Sequence, residues 1–185
     1  MRSKFIKEDL NFTGEQFSSL FAYNNFNLLG DSIIAFIGAC DVSLKEIVDL
    51  ELAKSGKKTF SCPRMLHFLA EHFEVDMEKA ILRSFLLLNI IKDLVNEKLE
   101  RHIIKRVGTE LFENDSRIGF SLASSSPVSS LIYVGIALVP AEEGKGKGLE
   151  GYGIDPVAFA NEVMERYTKE TERITQLRCR TRWVE

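Results

Sequence analysis

The sequence has no stretch that suits a membrane span or a secretory leader. Its longest apolar runs, "FLLLNII" and "LIYVGIALV", are much shorter than the roughly 20 residues that a helix needs to cross a bilayer. The first residues, "MRSKFIKEDLNFTG", contain no apolar segment of the secretory kind. We therefore expect a cytoplasmic protein that makes no membrane contact.

Cysteine is also scarce, and positive charge is not in excess. The three cysteines, Cys40, Cys62 and Cys179, are odd in number and far apart, which argues against a disulfide framework and favours reduced thiols. The net charge of -3 gives no general attraction to a polyanion. Nucleic acid is therefore not an expected partner, and any basic site has to be local.

Ordered motifs for phosphate binding and for serine catalysis are missing as well. The glycine-rich segment "AEEGKGKGLEGYG" has five glycines and two lysines, but not the Gly-x-x-x-x-Gly-Lys-Ser/Thr order of a phosphate loop. A lid or a plain loop is the better interpretation. No Gly-x-Ser-x-Gly elbow is present to activate a serine.

What remains is the composition of a globular protein, with 45% hydrophobic and 28% charged residues in 185 residues. This length fits a single domain, 1–185. In the first half of the chain, capping residues and apolar spacing predict an N-terminal edge strand, a helix, a buried strand and three further helices. These elements are "SKFIKEDL", 14–24, "DSIIAFIGAC", the segment from Ser43 to Gly56, "PRMLHFLAEHF", and a long helix after Asp76.

The second half has a β pattern. The runs "HIIKRV", "ELFEND", "RIGFSLA" and "LIYVGIALV" are short and separated by turn residues, which predicts an antiparallel meander. Asp155 and Pro156 then begin a final helix. We expect an α+β fold with a largely antiparallel sheet packed by helices on one side, leaving the other side free for a ligand.

The serine-rich segment "SLASSSPVSS" has three interpretations: a nucleophile site, a ligand cradle or a turn. Small hydroxyl side chains before Pro127 commonly satisfy their own backbone in a turn. Serine hydroxyls and backbone N–H groups at a sheet end also hold carboxylates or phosphates. Ser121 and Ser126 are therefore candidate ligand-binding residues, together with Arg117 at the start of the same strand.

The buried strand "DSIIAFIGAC" brings further candidates. Asp31 is its first residue, while Cys40 and Asp41 stand at its exit, a common site position in open sheets. We take Cys40 and Asp41 as candidate reactive groups and Asp31 as a candidate ligand contact. The structural alternatives are a small core thiol and two turn residues.

The histidines do not suggest a zinc site. On the predicted helix "PRMLHFLAEHF", His67 and His72 are about 140° apart and cannot share a metal. His67 would share a helical face with Arg64 and Glu71, as an ion-paired surface or the wall of an anion pocket. His67 is therefore a candidate ligand-binding residue.

The segment "ELFENDSRIGFSLASSSPVSSLIYVGIALV" resembles the core hairpin of biotin and lipoate protein ligases and octanoyl transferases. Three stretches together span most of the length: "LLGDSIIAFIGACDVSLKEIVDLE", "MLHFLAEHFEVDMEKAILR" and "SSPVSSLIYVGIAL". In these stretches the chain looks like the prokaryotic family called domain of unknown function 366. Both resemblances imply a biotin-ligase type, class II synthetase-like fold.

The ligase resemblance implies a small carboxylated or acyl ligand, with a nucleotide as a further candidate. Arg117 stands where the ligases have lysine; it can bind an anion but cannot act as a neutral amine. If the protein is an enzyme, the implied class is an acyl transferase or ligase, with Cys40, Asp41 and Arg117 as catalytic candidates. A Gly-Arg-Gly-Arg loop is missing, which favours the alternative of a non-catalytic sensor or assembly module. Cofactors and homo-oligomer formation stay open.

Overall fold

The computed structural model describes residues 1–43, 50–55, 61–140, 146–182 and 184. Within these ranges seven strands form one sheet. They are β1 (Arg2–Phe5), β2 (Ser32–Cys40), β3 (Cys62–His72), β4 (Ile104–Val107), β5 (Glu110–Glu113), β6 (Ser116–Ser125) and β7 (Ser130–Ala137). The α-helices are α1 (Phe21–Phe26), α2 (Leu50–Ser55), α3 (Met77–Leu99) and α4 (Pro156–Arg180).

The strand order is β1-β2-β3-β7-β6-β5-β4, and β1 with β2 is the parallel pair in an otherwise antiparallel sheet. Strands β4 to β7 follow one another as neighbours, so the predicted meander is confirmed. The predicted α+β class is confirmed with it. The N-terminal strand is also confirmed, since β1 lies at the sheet edge as expected.

The short helix predicted over residues 63 to 73 is wrong, because these residues form β3. From Met65 to His72 every residue is buried, so no alternation of apolar and polar residues marks the strand. A continuous apolar run of this kind fits a buried helix equally well. Pro63 stands near the start of the strand, where its missing N–H is tolerated.

The first helix is shorter than predicted, α1 instead of 14–24. The expected pair of Thr13 and Gln16 does form, with the Thr13 N–H donating to Gln16 Oε1 at 3.0 Å. Gln16 Nε2 also donates to the Asn11 carbonyl, so the pair closes a turn instead of starting a helix. Leu20 then adopts a φ of 63°, and α1 begins only after it.

The two long helices begin where the sequence predicts. The Asp76 carboxylate accepts the Lys79 N–H at 2.9 Å, and the Asp155 carboxylate accepts the Ala158 N–H at 2.6 Å. Both caps satisfy donors that the first helical turn leaves free. The helix predicted between Ser43 and Gly56 corresponds to α2, but residues 44–49 and Gly56 lie outside the described residues.

The sheet has a helical face, packed by α3 and α4, and an aromatic face, which carries Phe36, Cys40, His67, Phe120 and Tyr133. The expectation that one side is free for a ligand is wrong over β2, β3 and β7, whereas Phe120 and Leu122 of β6 are only partly buried on the same face. Residues 10–28, the covering segment, lie over the aromatic face because their apolar side chains are buried there. Among the described helices, none is long and apolar enough to span a membrane.

Candidate functional site

The centre of the aromatic face is a layer of stacked rings. His67 on β3 lies opposite Phe36 on one side and Gly135 on the other, and Tyr133 projects from the same face of β7. Phe12 of the covering segment stacks on Tyr133, with ring centroids 4.0 Å apart and planes 12° apart. The rings of His67 and Tyr133 are therefore shielded from solvent, with 0% of each residue exposed.

Hydrogen bonds fix the state of His67. Its Nε2 lies 3.1 Å from the Gly38 carbonyl oxygen, which can only accept, so Nε2 carries the proton. Its Nδ1 lies 3.0 Å from the Tyr133 hydroxyl. Burial lowers the pKa of His67 to about 4, so the ring is neutral and Nδ1 accepts the Tyr133 O–H.

Cys40 extends this polar chain at the end of β2. Its Sγ lies 4.0 Å from the Tyr133 hydroxyl, within the longer reach of a sulfur contact. Burial raises the pKa of the Cys40 thiol to about 11, because a thiolate would lose its hydration. In this arrangement Cys40 is a protonated thiol beside a neutral histidine.

Glycines provide the space for this cluster. A Cβ at Gly135 would collide with the Tyr133 hydroxyl, so the missing side chain lets the phenol lie along the sheet toward His67. A Cβ at Gly38 would collide with the Leu10 backbone, which passes over β2. The glycine two residues after Tyr133 is therefore a packing requirement of the cluster.

Glu71 fastens the covering segment to the sheet. Both of its carboxylate oxygens accept the Leu20 N–H, at 2.9 and 3.0 Å, and Oε1 accepts the Ser129 hydroxyl at 2.6 Å. Beside this contact a cavity of only about 20 Å³ lies between the covering segment and the sheet. Its apolar lining includes Phe17, Phe21, Ile34, Leu69 and Leu131.

Of the seven candidate residues named from the sequence, the structure brings Cys40 and His67 together, joined through Tyr133. Arg117 lies at the same end of the sheet as Cys40 but three strands away, about 14 Å at the usual strand spacing. It forms an ion pair with Glu110. Ser121 points to the helical face, and its N–H donates to the Thr109 carbonyl at 2.8 Å.

Asp31 and Ser126 lie at the end of the sheet opposite to Cys40. Asp41 directly follows Cys40 in the chain. The Ser126 hydroxyl accepts the N–H groups of Val128 and Ser129, at 3.2 and 2.9 Å, which is the hydrogen bonding of a turn. Asp41 is exposed. The Asp31 carboxylate accepts from His72 Nδ1 at 3.0 Å.

The prediction that His67 and His72 lie on a helix was wrong. The predicted face shared by His67, Arg64 and Glu71 was wrong as well, because Arg64 is not on it. On strand β3, residues five apart point to opposite faces, so His67 lies on the aromatic face and His72 on the helical face. Glu71 shares the face of His67, whereas Arg64 does not and pairs with Glu150. The described residues contain no cluster of metal-ligating side chains.

Sequence reasoning missed two residues of the site, Phe12 and Tyr133, and it named Glu71 only as part of a helical face. The available signal was the Tyr-Val-Gly order in "LIYVGIALV", where a glycine interrupts a fully buried strand.

The glycine-rich segment "AEEGKGKGLEGYG" was expected to be a lid or a loop. Its described part, from Gly146, is attached to the sheet by Glu113, which accepts the Lys147 N–H at 2.8 Å.

Comparison with solved structures defines the class of fold. A biotin protein ligase from Aquifex aeolicus, in complex with biotin and ATP, matches with a TM-score of 0.64 at 14% identity, over 94% of this chain and 72% of the ligase. A protein of unknown function from Pyrococcus horikoshi matches with a TM-score of 0.88 at 28% identity, over 99% and 100% of the two chains. The fold is that of the biotin and lipoate protein ligases.

Within this class the chain belongs to the family described as Domain of unknown function (DUF366), which matches residues 1–182. It is also similar to an uncharacterized protein of Methanocaldococcus jannaschii. The two are 30% identical over 177 residues, covering 92% of this chain and 79% of the relative.

Proposed function

We propose that this protein binds a small molecule with a carboxylic or acyl group on the aromatic face, over Tyr133 and His67. The observation that carries the proposal is the polar chain from Cys40 through Tyr133 to His67, set in a layer of aromatic rings. Apolar walls with a few convergent polar groups are the usual composition of a small-molecule site. The similar ligase structure, which contains biotin and ATP, supports the proposal at the level of the fold.

The ligand reaches this site by displacing the covering segment. The cavity of about 20 Å³ holds no more than one water, so the present arrangement is the closed state. In the open state, an acyl chain takes the place of the Phe12 ring. The single Tyr133 hydroxyl proton, which His67 Nδ1 accepts in the closed state, then turns to the oxygen of the ligand. Arg117 and Asp41, at the Cys40 end of the sheet, are candidate contacts for a charged or nucleotide part of the ligand.

Binding without covalent transfer fits the cluster better than acyl transfer to Cys40. Transfer needs a thiolate, and burial raises the pKa of Cys40 to about 11. The neighbouring His67 is neutral and its pKa is lowered, so it supplies no positive charge to stabilise a thiolate. A non-catalytic sensor on a ligase fold is therefore favoured over a transferase.

Thermal unfolding with a ligand panel tests the proposal. Biotin, lipoate, octanoate, ATP and the corresponding acyl-adenylates are added separately, and a ligand that binds the folded protein raises the unfolding temperature. We expect at least one acid or acyl compound to do so, and the Tyr133→Phe variant to lose most of that shift. Tyr23→Phe is the matched control, because Tyr23 belongs to the covering segment but is exposed and lies outside the polar chain of Cys40, Tyr133 and His67.

The proposal would be contradicted if no compound of the panel raised the unfolding temperature at millimolar concentration. Intact-protein mass after incubation with an acyl-adenylate separates the two roles. An unchanged mass agrees with binding alone, whereas a stable adduct on Cys40 would show transfer.

A further inference from the structure

A second polar cleft lies between α3, α4 and the start of β2. It has a volume of about 200 Å³, and its walls carry Asp31, Phe73, Glu74, Lys79, Arg83, Ile174, Thr175 and Arg178. This cleft is separate from the aromatic face, because the strand residue that supports it, His72, points to the helical face. It therefore does not depend on the function proposed above.

The Asp31 carboxylate lines the cleft and is held in place by two hydrogen bonds. Asp31 Oδ2 accepts from His72 Nδ1 at 3.0 Å, and Asp31 Oδ1 accepts the Phe73 N–H at 2.9 Å. The His72 side chain is only 2% exposed, and its Nε2 lies 2.9 Å from the Tyr167 hydroxyl. A carboxylate has about four acceptor positions, so Asp31 keeps free positions toward the cleft.

The three cationic side chains that line the cleft differ in their ion pairs. Lys79 and Arg83, on the first turns of α3, both form ion pairs with Glu74. Arg178, near the end of α4, takes part in none of the ion pairs found among the described residues. Three cations face two carboxylates across the cleft, which leaves one positive charge of the lining unbalanced. Within the described part of the chain, Arg178 is the one of the three without an ion pair to a carboxylate.

We propose that this cleft binds a small zwitterion of amino-acid size, with its ammonium group on Asp31 and its anionic group on Arg178. The ammonium donates to the free acceptor positions of Asp31, and the guanidinium donates to the carboxylate of the ligand. The cleft has about ten times the volume of the 20 Å³ cavity at the covering segment, so it has room for a ligand of amino-acid size. Phe73 and Ile174 provide apolar surface for its side chain.

Calorimetric titration of the full chain with the free amino acids tests this proposal. We expect at least one of them to bind with a millimolar or lower Kd, and the Arg178→Gln variant to bind it at least tenfold more weakly. Arg180→Gln is the matched control. Arg180 is exposed and lies about 200° around α4 from Arg178, so we expect its loss to leave binding unchanged.

The ammonium contact is tested without changing the protein. The N-acetyl form of the same amino acid keeps the carboxylate but removes the positive charge, so we expect binding to be lost. Equal binding of the N-acetyl form, or of inorganic phosphate, would overturn the zwitterion site and leave an anion site. Failure of every amino acid at millimolar concentration, or an unchanged Kd in Arg178→Gln, would overturn it as well.

Discussion

The hydroxyl of Tyr133 occupies the space that a side chain at Gly135 would need. Both residues project from the aromatic face of β7, two positions apart, and the phenol lies over the glycine toward His67. The glycine therefore determines where the tyrosine hydroxyl sits, and through it the hydrogen bond that the buried histidine receives.

The Gly135→Ala substitution is expected to destabilise the protein by about 1–3 kcal/mol, because the added methyl group overpacks a filled core. In the Tyr133→Phe background the same substitution should cost less, since the hydroxyl that it meets is gone. Denaturant unfolding of the two single variants and the double variant measures this coupling. Additive effects within about 0.5 kcal/mol would show that the two positions are independent.

The free energy of unfolding should depend on pH because His67 is neutral in the folded protein. Its pKa is about 4 in the folded protein and 6.5 as the ordinary value, so between these values the unfolded chain binds more protons. The free energy of unfolding should therefore decrease as the pH falls from about 7 to 4, by about 3 kcal/mol from this residue.

The control for this pH effect is a pair of histidine variants. In His67→Gln the decrease between pH 7 and 5 should be clearly smaller than in wild type, although the variant is less stable at every pH. His102→Gln, at an exposed histidine, should retain the wild-type slope. Equal slopes in wild type and His67→Gln would contradict a neutral, buried His67.

Thiol labelling should separate the three cysteines. Cys179 is exposed, whereas Cys40 and Cys62 are buried and burial raises the pKa of both. A small alkylating reagent at neutral pH should therefore modify Cys179 first and reach the other two only after unfolding. Mass spectrometry of digested samples follows each site. Rapid labelling of Cys40 in the folded protein would instead indicate an activated nucleophile.

The Glu71→Gln substitution should loosen the covering segment. The buried carboxylate accepts from Leu20 and Ser129, and a neutral amide makes weaker hydrogen bonds to these donors. Hydrogen exchange of the Leu20 amide should be faster in this variant. If binding needs the open state, any ligand of the aromatic face should also bind more tightly. Glu78→Gln, at an exposed glutamate on α3, is the control, and equal exchange in both variants would contradict the fastening role.

The sequence is sufficient for those parts of the fold that depend on local signals. The helix caps Asp76 and Asp155 and the meander from β4 to β7 are encoded by nearby residues, and all are present. Strand β3 could not be distinguished from a helix, because both its faces are buried and its apolar run has no period.

The candidate site depends on contacts that a single sequence does not display. Cys40 and Tyr133 are 93 residues apart, and only the pairing of β2, β3 and β7 brings them together. Phe12 forms only an isolated bridge with Cys40 and belongs to no strand or helix, so no periodicity marked it as the cover of the sheet. The sequence could not show that the Ser126 hydroxyl closes a turn instead of binding a ligand, because a serine in such a segment suits either role.

The most direct measurement of the central claim is NMR of protein with labelled phenylalanine and tyrosine, titrated with the acid or acyl compound that gives the largest thermal shift. We predict that the ring signals of Phe12 and Tyr133 change most, because the ligand replaces one ring and hydrogen-bonds to the other. Changes confined to Phe73, beside the polar cleft, with Phe12 and Tyr133 unaffected, would contradict a ligand site on the aromatic face.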